Sequence, residues 1–280
     1  MLQTNPVKNR TIDPTRARRI PGAILCRRRD EYGEIIVAEE GNKRTLYFGD
    51  GINQSTIRTD RPDVLLEDYN EAMMSSLIFT GEPLSILLIG LGGCSLVHFL
   101  LKAFPHCALD VVEIRQQVID LAREYFFLPA ENDSVRIFHA AGGDFIRDCA
   151  ADSRNYDMII VDAFDEAGPA ASLLEKEFLS ACRMRLNAHG VFVINLWNGP
   201  GQNFTGMYKS VQDAFENNTL KLLLAESYRN AVAFGFKDPA NCGNLPEYRR
   251  IAADLQGRHG INFPRYLKNL YWQNFNAQEQ

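Results

Sequence analysis

The chain has 280 residues, of which 46% are hydrophobic and 23% charged, with a net charge of −5. That composition fits one globular domain with a small appendage and excludes a disordered or fibrous protein. No apolar run approaches the roughly 18–20 residues that a membrane helix needs, and an acidic body repels nucleic acid.

Residues 1–30 depart from the acidic whole. They hold Lys8, Arg10, Arg16, Arg18, Arg19, Arg27, Arg28 and Arg29 against Asp13 and Asp30, and read as a basic arm that is solvated or packs on a neighbour. The apolar core of a secretory signal is lacking here, so a cytoplasmic location is expected. Cys26, Cys94, Cys107, Cys149, Cys182 and Cys242 are scattered without a C-x-x-C pair, which predicts reduced, packed thiols and neither a disulfide framework nor a zinc site.

Residues 31–82 form a second unit. Short β-prone runs at Glu34–Val37, Thr45–Phe48 and Ser55–Ile57, punctuated by Gly41, Gly49 and Gly51, predict a small antiparallel β-region. Leu65, Tyr69, Met73, Leu77 and Ile78 then recur at helical spacing, predicting one helix over Asp63–Thr80.

From residue 83 to 280 the texture changes. Ile86–Ile89, Leu109–Ile114, Val135–Phe138, Met158–Val161 and Val191–Leu196 are near-continuous apolar runs, as expected of strands buried on both faces of a parallel sheet. Helical patterns over Ser95–Phe104, Gln116–Phe126, Asp144–Ala150 and Ser172–Leu186 separate them. Strand alternating with helix predicts an α/β, Rossmann-like, doubly wound and mostly parallel sheet. Leu220–Ala225 and Val232–Phe236 read as a further, antiparallel strand pair, and Leu245–Tyr271 as helix broken near Gly260 and Pro264.

The ends of the strands carry the chemistry. The first apolar strand runs into Gly90-Leu91-Gly92-Gly93-Cys94-Ser95 and then a helix, a turn whose glycines let backbone approach a ligand. The second closes in Glu113, where a carboxylate can accept both ribose hydroxyls. Ser95 stands where a dinucleotide fold carries its third glycine, which favours a nucleoside without pyrophosphate. Asp144 either accepts from an adenine amino group or N-caps the following helix. The fourth strand ends in Asp162-Ala163-Phe164-Asp165-Glu166, with Gly168-Pro169 following. That places carboxylates at the mouth of the sheet.

Asp50-Gly51-Ile52-Asn53-Gln54, Tyr69-Asn70-Glu71, the Gly90–Ser95 turn, Glu113, and Asp162–Pro169 with Ala170 follow one another in an order that resembles the spermidine synthases, the polyamine aminopropyltransferases. The resemblance spans Gly33 to Phe236. It implies a small β-region before a Rossmann-like domain, a homodimer, no metal, and aminopropyl transfer from decarboxylated S-adenosylmethionine to a small cationic amine such as putrescine. Residue by residue, it implies that Gln54, Gly90, Gly92, Gly93 and Glu113 bind the donor, with Asp144 or backbone groups at adenine. Tyr69 would line the crevice and Glu71 hold the far amine. Asp162 would be the general base, and Asp165 would orient the amine.

Departures accompany the resemblance. Gly93 stands where the synthases carry an acid that binds the donor's amine and repels the carboxylate of ordinary S-adenosylmethionine, so the ordinary form is also admitted. Ala140-Ala141 replaces a G-D pair, Phe164 is bulkier than the family's serine, and Ser227-Tyr228-Arg229-Asn230-Ala231 replaces Y-P-S-G. A methyltransferase and a non-catalytic nucleoside-binding protein therefore stand as rival readings.

Overall fold

The computed structural model describes residues 20–49, 51–148, 154–164, 170–198, 203–224, 230–238 and 245–275. The chain opens with four antiparallel strands: β1 (Ala23–Asp30), β2 (Gly33–Glu40), β3 (Lys43–Phe48) and β4 (Ile52–Arg58), ordered β1-β2-β3-β4. Strand β1 lies inside the stretch that the sequence reads as a basic arm. Its arginines hid it, because they project from an edge strand: Arg28 reaches Gln117 and Glu124, while Arg27 pairs with Glu34.

Next come two short helices, α1 (Asp68–Met74) and α2 (Leu77–Thr80), where the periodicity predicts one. The break falls at Ser75 and Ser76. Their hydroxyls donate to the Ala72 and Met73 carbonyls (2.6 and 2.8 Å), a local bond that competes with helix continuation.

The second sheet has seven strands. These are β5 (Ser85–Ile89), β6 (Ala108–Glu113), β7 (Val135–His139), β8 (Tyr156–Val161), β9 (Leu186–Trp197), β10 (Thr219–Leu223) and β11 (Asn230–Phe236), in the order β10-β11-β9-β8-β5-β6-β7. Strands β5 to β9 are mutually parallel, whereas β11 runs antiparallel to both β9 and β10. The mostly parallel sheet and the antiparallel pair both match the expectation.

Alternation along the strands divides the core in two. Ile86 and Leu88 face one side with Leu109 and Val111, against α3 (Ser95–Ala103), α4 (Gln116–Tyr125), α8 (Leu245–His259) and α9 (Phe263–Phe275). Leu87 and Ile89 face the other, against α5 (Gly142–Asp148), α6 (Lys176–Arg185) and α7 (Phe204–Ala214). The inner face of the small sheet (Ile35, Val37, Leu46, Phe48, Ile57) joins the first cluster, so its core is continuous with that of the larger sheet. Helix α7 escapes the sequence reading, although Asn203 N-caps it by accepting from Gly206 N (2.9 Å).

At the outer edge, α9 finishes the sheet. Gln273 and Asn274 each bond through one side-chain amide to both backbone groups of a β10 residue, Leu223 and Lys221 respectively. Among the described residues no helix is long and apolar enough to cross a membrane.

Candidate functional site

Strand order reverses at β5, from which the chain builds outward to β6 and β7 on one side and to β8 and β9 on the other. A crevice opens at such a point, beyond the carboxyl ends of the strands. Here it is a cavity of about 620 Å³ lined by the turn after β5, the end of β6, the start of α5, the end of β8, and residues Gln54, Ser55 and Asn70.

Gly90 closes β5 at φ +100°, and a Cβ on it would stand 2.2 Å from the Asp162 carbonyl oxygen. Only glycine permits this approach. The end of β8 and the binding turn are thereby locked together, with Asp162 N donating to Ile89 O (2.9 Å). Gly90 and Gly92 line the cavity, whereas Gly93 stands behind it. A Cβ at Gly93 would meet the Phe126 ring at 3.0 Å and Ser55 Oγ at 3.2 Å. A side chain there would press on the Phe126 ring, which would have to give by a few tenths of an ångström.

Glu113 lies at the end of β6, 8% exposed. Its two carboxyl oxygens accept from Leu91 N (3.0 Å) and Arg115 N (2.9 Å). Burial raises its pKa against the lowering effect of these bonds. The carboxylate is thus oriented by the backbone, with lone pairs left for further donors. Arg115, which the sequence analysis passes over, is 5% exposed and forks onto Asp30 (2.6 and 3.0 Å). Its guanidinium lies 4.3 Å from the Phe48 ring centroid. Through it the small sheet is tied to the wall that carries Glu113.

Asp162 lines the cavity at the end of β8. Burial pushes its carboxyl up to about 6, while hydrogen bonds from Asn195 and Tyr69 pull in the opposite direction. Asn195 Nδ2 donates to Asp162 Oδ1 (3.0 Å), and Asn230 Nδ2 donates to Asn195 Oδ1 (3.0 Å). The Tyr69 hydroxyl lies between Asp162 and the Gln54 carbonyl (3.3 Å), and burial drives its pKa well upward. Glu67, not singled out from sequence, is pushed up to about 7 by burial, with Asp162 adding a smaller like-charge contribution. Phe164 lines the cavity and packs on Trp197, with ring centroids 5.6 Å apart.

Two expectations change. Glu71 is not among the cavity-lining residues: it accepts from the Tyr266 hydroxyl (3.1 Å) on the α9 side of α1. Its neighbour Asn70 lines the cavity instead, because adjacent helix positions face different directions. Asp144 is not an N-cap, since it sits within the first turn of α5 at the cavity wall, its exposed carboxylate paired with Arg147 (2.7 Å). Asp165 lies outside the described residues, as do Glu166 and Pro169. Gln54, Gly90, Gly92, Glu113, Asp144 and Asp162 are brought to one cavity, with Tyr69 behind Asp162.

Asn195 carried a signal that could have been read, being a polar residue inside an otherwise apolar buried run. Arg115 and Asn70 gave none beyond proximity to motif residues. Among the described residues no group of three or more His, Cys, Asp or Glu is placed to hold a metal ion.

Known proteins share this fold and much of this sequence. A family model described as the spermine/spermidine synthase domain matches residues 67–213. The polyamine aminopropyltransferase of Chromobacterium violaceum is 32% identical over 237 residues, which cover 85% of this chain and 89% of that one. A solved spermidine synthase, in complex with the transition state analogue AdoDATO, superposes with a TM-score of 0.69 at 20% identity over 92% of this chain and 88% of that one. Human methyltransferase-like protein 13 in complex with SAH gives 0.58 at 24% identity over 72% and 93%. At those identities the two structures speak to the fold.

Proposed function

Because the chain belongs to the spermine/spermidine synthase family, we propose that its cavity holds an S-adenosylmethionine-type donor against a small cationic amine. The aminopropyl group is transferred to that amine, putrescine or a related polyamine. Glu113 takes the ribose hydroxyls. The backbone around Gly90 and Gly92 accommodates the donor's sugar and tail, and the wall from Ala140 to Asp144 accommodates its base.

Asp162 carries the reading. A protonated amine is no nucleophile, so a carboxylate at the reacting end must bind the cation and accept its proton. The nitrogen lone pair then forms a bond to the carbon beside the sulfonium. The carbon–sulfur bond breaks, and its electron pair neutralises the sulfur to a thioether. The released proton resides on Asp162, whose raised pKa of about 6 suits it to take a proton and pass it on near neutrality. Asn195 and Tyr69 hold the carboxylate while it does so. The sulfonium is a good leaving group, so positioning supplies most of the remaining acceleration.

Incubation with ordinary or decarboxylated S-adenosylmethionine and a panel of amines, read by product mass, tests this. An aminopropylated amine and methylthioadenosine are expected from the decarboxylated donor. A product heavier by one methylene unit would instead establish the second reading, methyl transfer. The lack of an acid at Gly93 favours that reading.

A further inference from the structure

The turn that joins β1 to β2 reaches the cavity from the small sheet. It consists of Glu31 and Tyr32, set between the paired residues Asp30 and Gly33. Tyr32 lines the cavity together with Phe48, Glu113 and Ile114, and is 44% exposed. An aromatic ring standing open at the cavity wall can take a flat partner on its face.

Arg115 holds that turn in place. Its Nε and Nη2 donate to the two carboxyl oxygens of Asp30 (3.0 and 2.6 Å), and Nη2 also donates to Gly33 O (3.0 Å). Asp30 Oδ1 accepts in addition from Tyr32 N (2.9 Å). The guanidinium lies 4.3 Å from the Phe48 ring centroid and 5.8 Å from that of Tyr32. Both side chains of the pair are buried. Burial of such a pair is weak support for stability, because the cost of leaving water offsets the attraction. The remaining bond of Arg115 leads to the site: its backbone N donates to Glu113 Oε1 (2.9 Å). Burial raises the pKa of Glu113, and the charge of Arg115 is among the effects that oppose the rise.

We infer that Asp30 and Arg115 are positioning residues that make the β1–β2 turn part of the donor site, with Tyr32 as the ring that covers the nucleoside on the side of Glu113. Arg115 acts through two neighbours. Its side chain sets Tyr32, and its backbone and charge keep Glu113 oriented and ionised. The inference rests on the reading of the cavity as a nucleoside site and adds to it a wall supplied by the small sheet.

Calorimetric titration of the full chain with 5′-methylthioadenosine, a nucleoside with an uncharged tail, tests it, with a melting curve for each variant. Tyr32→Ala should weaken binding about tenfold, the share of one aromatic stack. Its melting temperature should hold, since the side chain is exposed. Tyr32→Phe should bind as the unmodified chain does, because the ring and not the hydroxyl does the covering. Arg115→Lys keeps the charge and the backbone bond to Glu113 but lacks the fork that fits Asp30. It should weaken binding about fivefold with Tyr32 present, and at most about twofold once Tyr32 is replaced by alanine, because the two changes act through one ring. Losses that simply add would show that the pair and the ring act separately and would overturn the inference. Full affinity in Tyr32→Ala, or a tenfold loss in Tyr32→Phe, would overturn it as well; in each case the nucleoside reading stands. Failure of the unmodified chain to bind the probe would overturn both.

Discussion

Asn195 Nδ2 donates a 3.0 Å hydrogen bond to Asp162 Oδ1, and its own orientation is set by Asn230, which donates to Asn195 Oδ1 at the same distance. The bond favours the ionised carboxylate, against the burial that raises its pKa to about 6. In Asn195→Ala burial acts with less opposition, and the pKa of Asp162 rises further. A base works in its ionised form, so the rate climbs with pH through that pKa. The acid limb of the kcat/KM profile should therefore move to higher pH, with activity partly recovered well above it. An unmoved limb would mean that the limb reports a different group.

Asp162→Asn keeps the shape and removes the proton acceptor. Turnover should fall by about 10²–10⁴, the usual share of a positioned base. Donor binding should persist, because in the proposed arrangement Glu113 and the Gly90 turn hold the nucleoside. Single-turnover rates and melting curves on the same preparation separate this from a purely structural role, in which stability alone would drop.

Glu113→Gln should weaken binding of the donor at least about tenfold, since it removes the charge-assisted bonds proposed to the ribose. Some stability should go with it. Both oxygens of Glu113 accept backbone N–H groups, and the amide of glutamine turns a donor toward one of them. Titration with the nucleoside beside a melting curve checks both; unchanged affinity in a folded variant would remove Glu113 from the site.

Glu67 and Asp162 have folded-state pKa values of about 7 and about 6, above their ordinary 4.5 and 3.8. Between those values the folded state holds protons that the unfolded chain has released. Their contribution to stability is full below about pH 4 and declines as pH rises through about 7. Glu67→Gln should flatten that decline. The gap in melting temperature between about pH 5 and about pH 8 should be smaller in the variant; an identical gap would exclude Glu67 as a source.

Gly93→Asp places an acid on the turn but sets its Cβ against the Phe126 ring. Alone it should lower the melting temperature and weaken ordinary and decarboxylated donors alike. With Phe126→Leu as well, the space opens and the loss should fall on the carboxylate-bearing form. Selective loss in the single variant would show that Phe126 moves freely.

Several of these features were legible in the residues themselves. Strands β5, β6 and β8 were, because burial on both faces leaves an unbroken apolar run. Gly90, Glu113 and Asp162 were, because position at a strand end is a property of the run before them. Other features depend on what the chain meets in space. The arginines of β1 look like a solvated arm until Asp30 finds Arg115 from 85 positions away. Ser75 and Ser76 interrupt a periodicity that their apolar neighbours continue. Asn195 gains its role only when β8 and β9 set it beside Asp162. Glu71 illustrates the limit most sharply: within one motif, a single helical step turns Asn70 into the cavity and Glu71 toward Tyr266.

Gln273 and Asn274 reach β10 as a neighbouring strand would, each satisfying one N–H and one C=O. A bare outer strand is a template on which another chain can align, and here two amide side chains stand in for that chain. Shortening the protein by a few residues past this point in α9 is therefore no neutral trim. Stopping at residue 272 would leave the backbone groups of Lys221 and Leu223 unsatisfied at the rim, and the product should self-associate with rising concentration while its cavity remains intact.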